Sequence, residues 1–138
     1  MEKMIYLDMD GTIANFYGVE GWLDDLLNEN SRPYEVAEPL YDESTLLKMV
    51  ALGYTLGIVS WLSKNSTKEF DTRVRKAKRE WLKEHYPHIE FNEIHIVKYG
   101  TPKYKVVKNI NSILIDDEEP NRNAWKGIAY EPNFLESF

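Results

Sequence analysis

The sequence predicts a three-layer α/β fold built on a central, mainly parallel five-stranded sheet. Three observations predict it. Short apolar runs that suit buried strands, at 4–7, 54–59, 93–97, 112–115 and 127–130, alternate with segments of helical periodicity. A glycine, Gly53, separates a helix pattern from the strand after it, which is the rhythm of a parallel sheet. Polar residues follow several of the apolar runs directly: Asp8, Ser60 and Asp116. In an open α/β sheet the loops at the carboxyl ends of the strands converge on a crevice, so polar groups there face a ligand and not the core.

The first strand, Met4 to Leu7, stops abruptly at Asp8-Met9-Asp10-Gly11. Alternation points Asp8 and Asp10 the same way, with Met9 turned aside. Residues 15–41 form an insertion with an aromatic opening, Phe16 and Tyr17, and a short helix over 19–28 with Trp22, Leu23, Leu26 and Leu27 as its apolar stripe. It reads as a small helical cap over the crevice. Asp42 suits the N-cap of a helix running to about Leu52, with Leu46, Leu47, Val50 and Ala51 facing the core and Gly53 as its stop. Ser66 and Glu69 suit a capping box for a long helix to about His85. In that helix Phe70, Val74, Ala77, Trp81 and Leu82 recur at helical spacing. Lys68, Arg73, Arg75, Lys76, Lys78, Arg79 and Lys83 read as its solvated basic face. Thr101 and Pro102 open another short helix, and the chain from Glu131 closes as an irregular segment.

With 138 residues and 43% hydrophobic content, the chain fits a single domain spanning 1–138. It has no cysteine, which excludes disulfides and thiolate metal sites and suits a reducing cytoplasm. No apolar run has the length of a membrane span, and Met1-Glu2-Lys3 followed at once by a strand is not the pattern of a signal peptide. A net charge of -6 argues against broad binding to nucleic acid. His85, His88 and His95 do not make a metal set and read as structural.

Two neighbouring carboxylates repel, so Asp8 and Asp10 call for a divalent cation or a lysine beside them. The string Asp8-Met9-Asp10-Gly11-Thr12 resembles the first motif of the haloacid dehalogenase-like (HAD) phosphohydrolases, Asp-x-Asp-Gly-Thr or -Val. Continued to Phe16, it is similar to the start of the 5'(3')-deoxyribonucleotidase branch. Ser60 resembles the second motif, the Lys103 to Lys105 region the third, and Ile113-Leu114-Ile115-Asp116-Asp117 the fourth. The resemblance implies a Rossmann-like sandwich and a Mg2+-dependent phosphomonoester hydrolase.

It further implies that Asp8 is the nucleophile and forms an aspartyl phosphate, while Asp10 protonates the leaving oxygen and then activates water. Mg2+ would be held by Asp8, the Asp10 backbone carbonyl and Asp116, with Asp117 as a direct or supporting partner. Ser60, Gly11, Thr12, Lys103 and Trp61 are the expected phosphate-binding residues. Lys105 is favoured over Lys103 as the catalytic lysine, because Lys105-Val106-Val107 close before the fourth strand matches the spacing of the nucleotidase branch. Trp22 and Tyr34 in the insertion would shape the leaving-group pocket. The expected partner is a small phosphorylated substrate, led by a nucleoside monophosphate, and a homo-oligomer is compatible with the short cap. That cap is about half the length expected of a deoxyribonucleotidase. Two other classes compete: a receiver-like domain that accepts phosphate without turning it over, and a silent phosphate-binding domain of the same fold. The Asp8-x-Asp10 spacing and the late Asp116-Asp117 pair favour the hydrolase.

Overall fold

Strands β1 (Lys3–Leu7), β2 (Tyr54–Trp61), β3 (Glu93–Val97), β4 (Ile113–Ile115) and β5 (Ile128–Tyr130) form one sheet in the order β3-β2-β1-β4-β5. The structure, a computed structural model, describes residues 3–138; Met1 and Glu2, with which the leader expectation began, lie outside the described residues. Every pairing is parallel, with Leu7 opposite both Ile58 and Ile115. The chain steps outward from β1 to β3 and then returns to the other side of β1. That reversal places the switch point between β1 and β4, where a crevice opens at the carboxyl ends.

Met4, Ile5, Tyr6 and Leu7 are all buried, since both faces of a central parallel strand are covered. Alternation sorts them onto two cores. Ile5 and Leu7 pack with Leu56, Ile58, Leu46, Met49, Trp81 and Leu82. Met4 and Tyr6 pack with Val59, Val107, Leu114 and Trp125 on the opposite face. Full burial of each large apolar side chain contributes about 1.5–3 kcal/mol, so these two clusters hold the sheet.

Helix α3 (Glu43–Ala51) and helix α4 (Lys68–His85) cover the first face. Asp42 caps α3 as expected, accepting from the Ser44 amide at 3.2 Å. The buried stripe of α3 is Leu46 and Met49, three residues apart, whereas Leu47, Val50 and Ala51 are exposed. Of the expected stripe only Leu46 faces the core, and Met49 joins it, because several faces of this short helix carry an apolar residue. In α4 the residues Phe70, Val74, Ala77, Trp81 and Leu82 are buried as their spacing predicts. Its cap is Thr67 and not Ser66: the Thr67 hydroxyl accepts from the Phe70 amide at 3.2 Å, while Ser66 turns to the Ser63 carbonyl and the Asp71 carboxylate. The second face has a thinner cover. After Thr101 a single 3-10 turn, Lys103–Lys105, stands where a helix was expected, and α5 (Glu119–Ala124) follows β4.

Residues 15–41 leave and return through one stem, where Ala14 bridges Pro39 and the Asn15 amide donates to the Glu38 carbonyl at 2.8 Å. They carry α1 (Trp22–Leu27) and α2 (Arg32–Val36). Gly21, in the left-handed region at φ +78, starts α1 later than the expected helix. Trp22 and Leu26 pack with Phe16, Tyr34, Phe70 and Val74, tying the insertion to α4. Leu23 and Leu27 point outward, at 51% and 74% exposure.

Candidate active site

Adjacent parallel strands deliver the first carboxylates side by side. The Asp8 amide donates to the Ile115 carbonyl at 3.0 Å, so Asp8 and Asp116 leave the sheet together. The chain then turns within residues 9–14, with Thr12, Ile13 and Ala14 amides all donating to the Met9 carbonyl. Gly11 makes this turn at φ +82, and a Cβ there would collide with the Asp117 carboxylate. Both facts require glycine. Thr12 is fully buried; its hydroxyl lies 3.3 Å from Asp8 Oδ2 and 3.3 Å from Asp117 Oδ1 and accepts from the Asp117 amide at 3.2 Å.

Asp8 and Asp10 are each held by a different lysine. Lys103, 4% exposed, donates from Nζ to Asp8 Oδ1 at 2.9 Å and to Asp116 Oδ2 at 2.6 Å. Lys78 reaches in from α4, 1% exposed, and donates to Asp10 Oδ2 at 3.0 Å, Ser60 Oγ at 2.7 Å and the Trp61 carbonyl at 2.9 Å. Burial disfavours the Lys103 ammonium, but Asp8 and Asp116 more than reverse this and raise its pKa above the ordinary lysine value. Asp10 is raised by burial, against the opposing charge of Lys78 and with the added repulsion of Asp8. Burial, then the negative charge of Asp8, also raises Asp116 and Asp117 above the usual carboxylate range.

Burial and mutual repulsion thus both work against ionisation of these carboxyls. Among the described residues Lys78 and Lys103 are the lysines bonded to this group, so with all four carboxyls ionised Asp8, Asp10, Asp116 and Asp117 carry two more formal charges than the lysines balance. Asp8, Asp116 and Asp117 each offer an oxygen within 4.8 Å of the others. Hard oxygen donors at this spacing could hold a divalent cation. The Asp10 side chain stands outside that trio, held by Lys78.

A cavity of about 220 Å3 opens above Asp8 and Asp10. Phe16, Tyr17, Trp22 and Tyr34 of the insertion form one wall; Trp61, Tyr99 and Lys103 form the other. Phe16 and Tyr34 rings lie 4.7 Å apart, Tyr17 and Trp22 5.1 Å, and Trp61 and Tyr99 4.9 Å. The Tyr34 hydroxyl is bonded to the Ser63 hydroxyl at 2.9 Å, which pins the insertion to the loop after β2.

No family model matches this sequence, and no curated protein does. Among solved structures the chain is similar to a D,D-heptose 1,7-bisphosphate phosphatase from Burkholderia thailandensis, with a TM-score of 0.59 and 13% identity. The fold is α/β and Rossmann-like. The match covers 91% of this chain and 75% of that one, and at this identity the likeness is one of fold.

Several residues named from the sequence stand elsewhere than expected. Lys103, not Lys105, touches the carboxylates; Lys105 is exposed and its Nζ makes no hydrogen bond or ion pair among the described residues. In the 3-10 turn, successive lysines two apart point in different directions, and only the first faces the crevice. Thr12 ties the two acidic loops together and does not line the cavity. The Trp61 indole N–H is already committed to the Thr101 carbonyl at 2.8 Å, so Trp61 offers a ring face, over which Lys103 Nζ sits at 5.6 Å. Lys78, which by composition belongs with the solvated basic face of its helix, is buried instead. It falls four residues after Val74 and four before Leu82, on the buried stripe, and that spacing was the available signal. The histidines lie apart from the crevice, with His88 bonded to Glu43 and His95 to Glu93.

Proposed function

We propose that this chain is a HAD-type, Mg2+-dependent phosphomonoester hydrolase that works through an aspartyl phosphate on Asp8. One observation carries the reading: two buried lysines separately engage Asp8 and Asp10, at the end of the central strand, beneath a cavity. The motif resemblance and the fold likeness to a phosphatase support it.

Asp8 attacks phosphorus as the bond to the leaving oxygen breaks, and Asp10 gives that oxygen a proton. Asp10, now a carboxylate, takes a proton from water as the water oxygen attacks the acyl phosphate, which releases inorganic phosphate and restores Asp8. Lys103 uses two of its three donors on Asp8 and Asp116, leaving one for a phosphoryl oxygen. Asp8, Asp116 and Asp117 are the residues to hold Mg2+, together with the Asp10 backbone carbonyl. Bound there, the ion supplies neutralisation of the charge on the phosphoryl oxygens. Ser60 is the hydroxyl donor to the phosphoryl group.

The aromatic walls favour a planar leaving group, which keeps a 5'-nucleoside monophosphate as the leading substrate, with residues 15–41 as its cap in a single domain. The absence of cysteine is in keeping with work in the cytoplasm. The test is phosphate release, with and without Mg2+, from an aryl phosphate, nucleoside monophosphates and sugar phosphates, for wild type and Asp8→Asn. Metal-dependent turnover that Asp8→Asn abolishes is the expected result. Stable labelling of Asp8 by a small phosphodonor, without turnover, would replace the hydrolase with a receiver-like domain.

A further inference from the structure

Beyond its contact with Asp10, Lys78 takes no step in the chemistry above, yet it is the most deeply buried charged side chain at the crevice except Asp116. It projects from α4 on the stripe of Val74, Ala77, Trp81 and Leu82, where a methionine or leucine would pack at less cost. Replacing a buried ion pair by apolar residues is often neutral or stabilising, so packing alone does not explain a lysine there. Its ammonium has three donors, and all three are spent: on Asp10 Oδ2, Ser60 Oγ and the Trp61 carbonyl. None is left for a phosphoryl group. The Tyr34 ring of the insertion closes over the Nζ, with the ring centroid 5.2 Å away.

We propose that Lys78 is a positioning residue that sets the hydrogen-bonding direction of Asp10. By holding Asp10 Oδ2, it leaves Oδ1, which has no hydrogen bond among the described residues, as the oxygen that trades protons with the leaving group and then with water. Through the ring of Tyr34 the same lysine links the seating of the insertion to the geometry of the acid. The inference rests on the reading of Asp10 as the acid and base of a phosphoester hydrolase.

The test compares Lys78→Met with wild type on two esters that differ in need of a general acid: 4-nitrophenyl phosphate, whose leaving group departs without much protonation, and a simple alkyl phosphate. A well-placed general acid is worth roughly a hundredfold or more in rate. Lys78→Met is expected to lose about a hundredfold in kcat/KM on the alkyl ester and less than about tenfold on the aryl ester, as Asp10→Asn does. Equal losses on both esters would overturn the inference, since damaged packing does not distinguish leaving groups. In case Lys78→Met does not fold, Asp10→Asn and the double variant Asp10→Asn, Lys78→Met are compared on the aryl ester; the double variant leaves neither charge unpaired. Lys78 acting through Asp10 predicts that the second change alters the residual rate by less than about threefold, and a full additional loss refutes it. If wild type cleaves neither ester, or if Asp10→Asn falls equally on both, the acid role of Asp10 fails and this inference with it. If Asp10→Asn discriminates and Lys78→Met does not, only the inference fails.

Discussion

Replacing Lys103 by methionine keeps most of the side-chain volume and removes the cation that touches both Asp8 and Asp116, at 2.9 and 2.6 Å. With Lys103 only 4% exposed, little water is present to take over its role. Removing one partner of a buried pair costs about 3–5 kcal/mol, because the remaining charge is left uncompensated. At about 2.1 cal/mol/K of unfolding entropy per residue, this 138-residue chain melts about 3.5 °C lower for each kcal/mol lost. Lys103→Met is therefore expected to melt about 10–17 °C below wild type in EDTA at pH 8. The loss shrinks as pH falls, since Asp116 and Asp117, already raised by burial, take up protons and shed the charge that Lys103 had balanced. Lys105→Met is the matched control: an exposed lysine is worth within about 0.5 kcal/mol, or about 2 °C. Differential scanning calorimetry of the three proteins decides it. A drop no larger for Lys103→Met than for Lys105→Met would refute the assignment of Lys103 as the charge-compensating lysine.

Other changes test other parts of the site. Gly11→Ala forces an L residue to φ +82 and drives its Cβ into Asp117, so it should cost about 1–3 kcal/mol in a thermal melt and remove most of the activity. Trp22→Ala opens the wall of the cavity formed by the insertion and should raise KM for the preferred substrate several-fold while leaving kcat nearly unchanged, as steady-state kinetics would show. Mg2+ binding to the folded state alone should raise the melting temperature of wild type, by about 2.7 kcal/mol of stabilisation at a hundred times Kd, and Asp116→Asn should abolish most of that rise. Away from the site, hydrogen bonds from the His88 ring and amide hold the Glu43 carboxyl below its ordinary pKa. That contribution is present above the unfolded value and lost as pH falls, so Glu43→Gln should melt below wild type at pH 6, with the two curves converging once the pH drops under the glutamate range.

The parallel sheet was legible because β1 reads as an uninterrupted apolar run and because Gly53 punctuates a helix and a strand. Asp8 and Asp116 were legible for the same reason, since each directly follows the last residue of a buried strand. What did not read from sequence was direction within a turn or around a helix. Lys103 and Lys105 differ by two places in a 3-10 turn whose existence periodicity does not signal, and only tertiary contact with Asp8 and Asp116 separates them. Lys78 carried a signal, its place on the stripe of Val74 and Leu82, but a charged residue among six other basic residues reads as solvated. In α3 the reading holds for Leu46 and fails for Leu47, Val50 and Ala51: with apolar side chains on several faces, composition alone does not choose Met49 over Leu47 and Val50 as the partner of Leu46.

The most direct measurement is an acid quench of wild type during turnover of an aryl phosphate with Mg2+, followed by peptide mass spectrometry of the segment that contains Asp8. An Asp8 peptide heavier by one phosphoryl group, formed and lost at rates that match turnover and absent from Asp8→Asn, is the predicted result. Phosphate release that continues with no phosphoryl group ever found on Asp8 would contradict the aspartyl-phosphate mechanism.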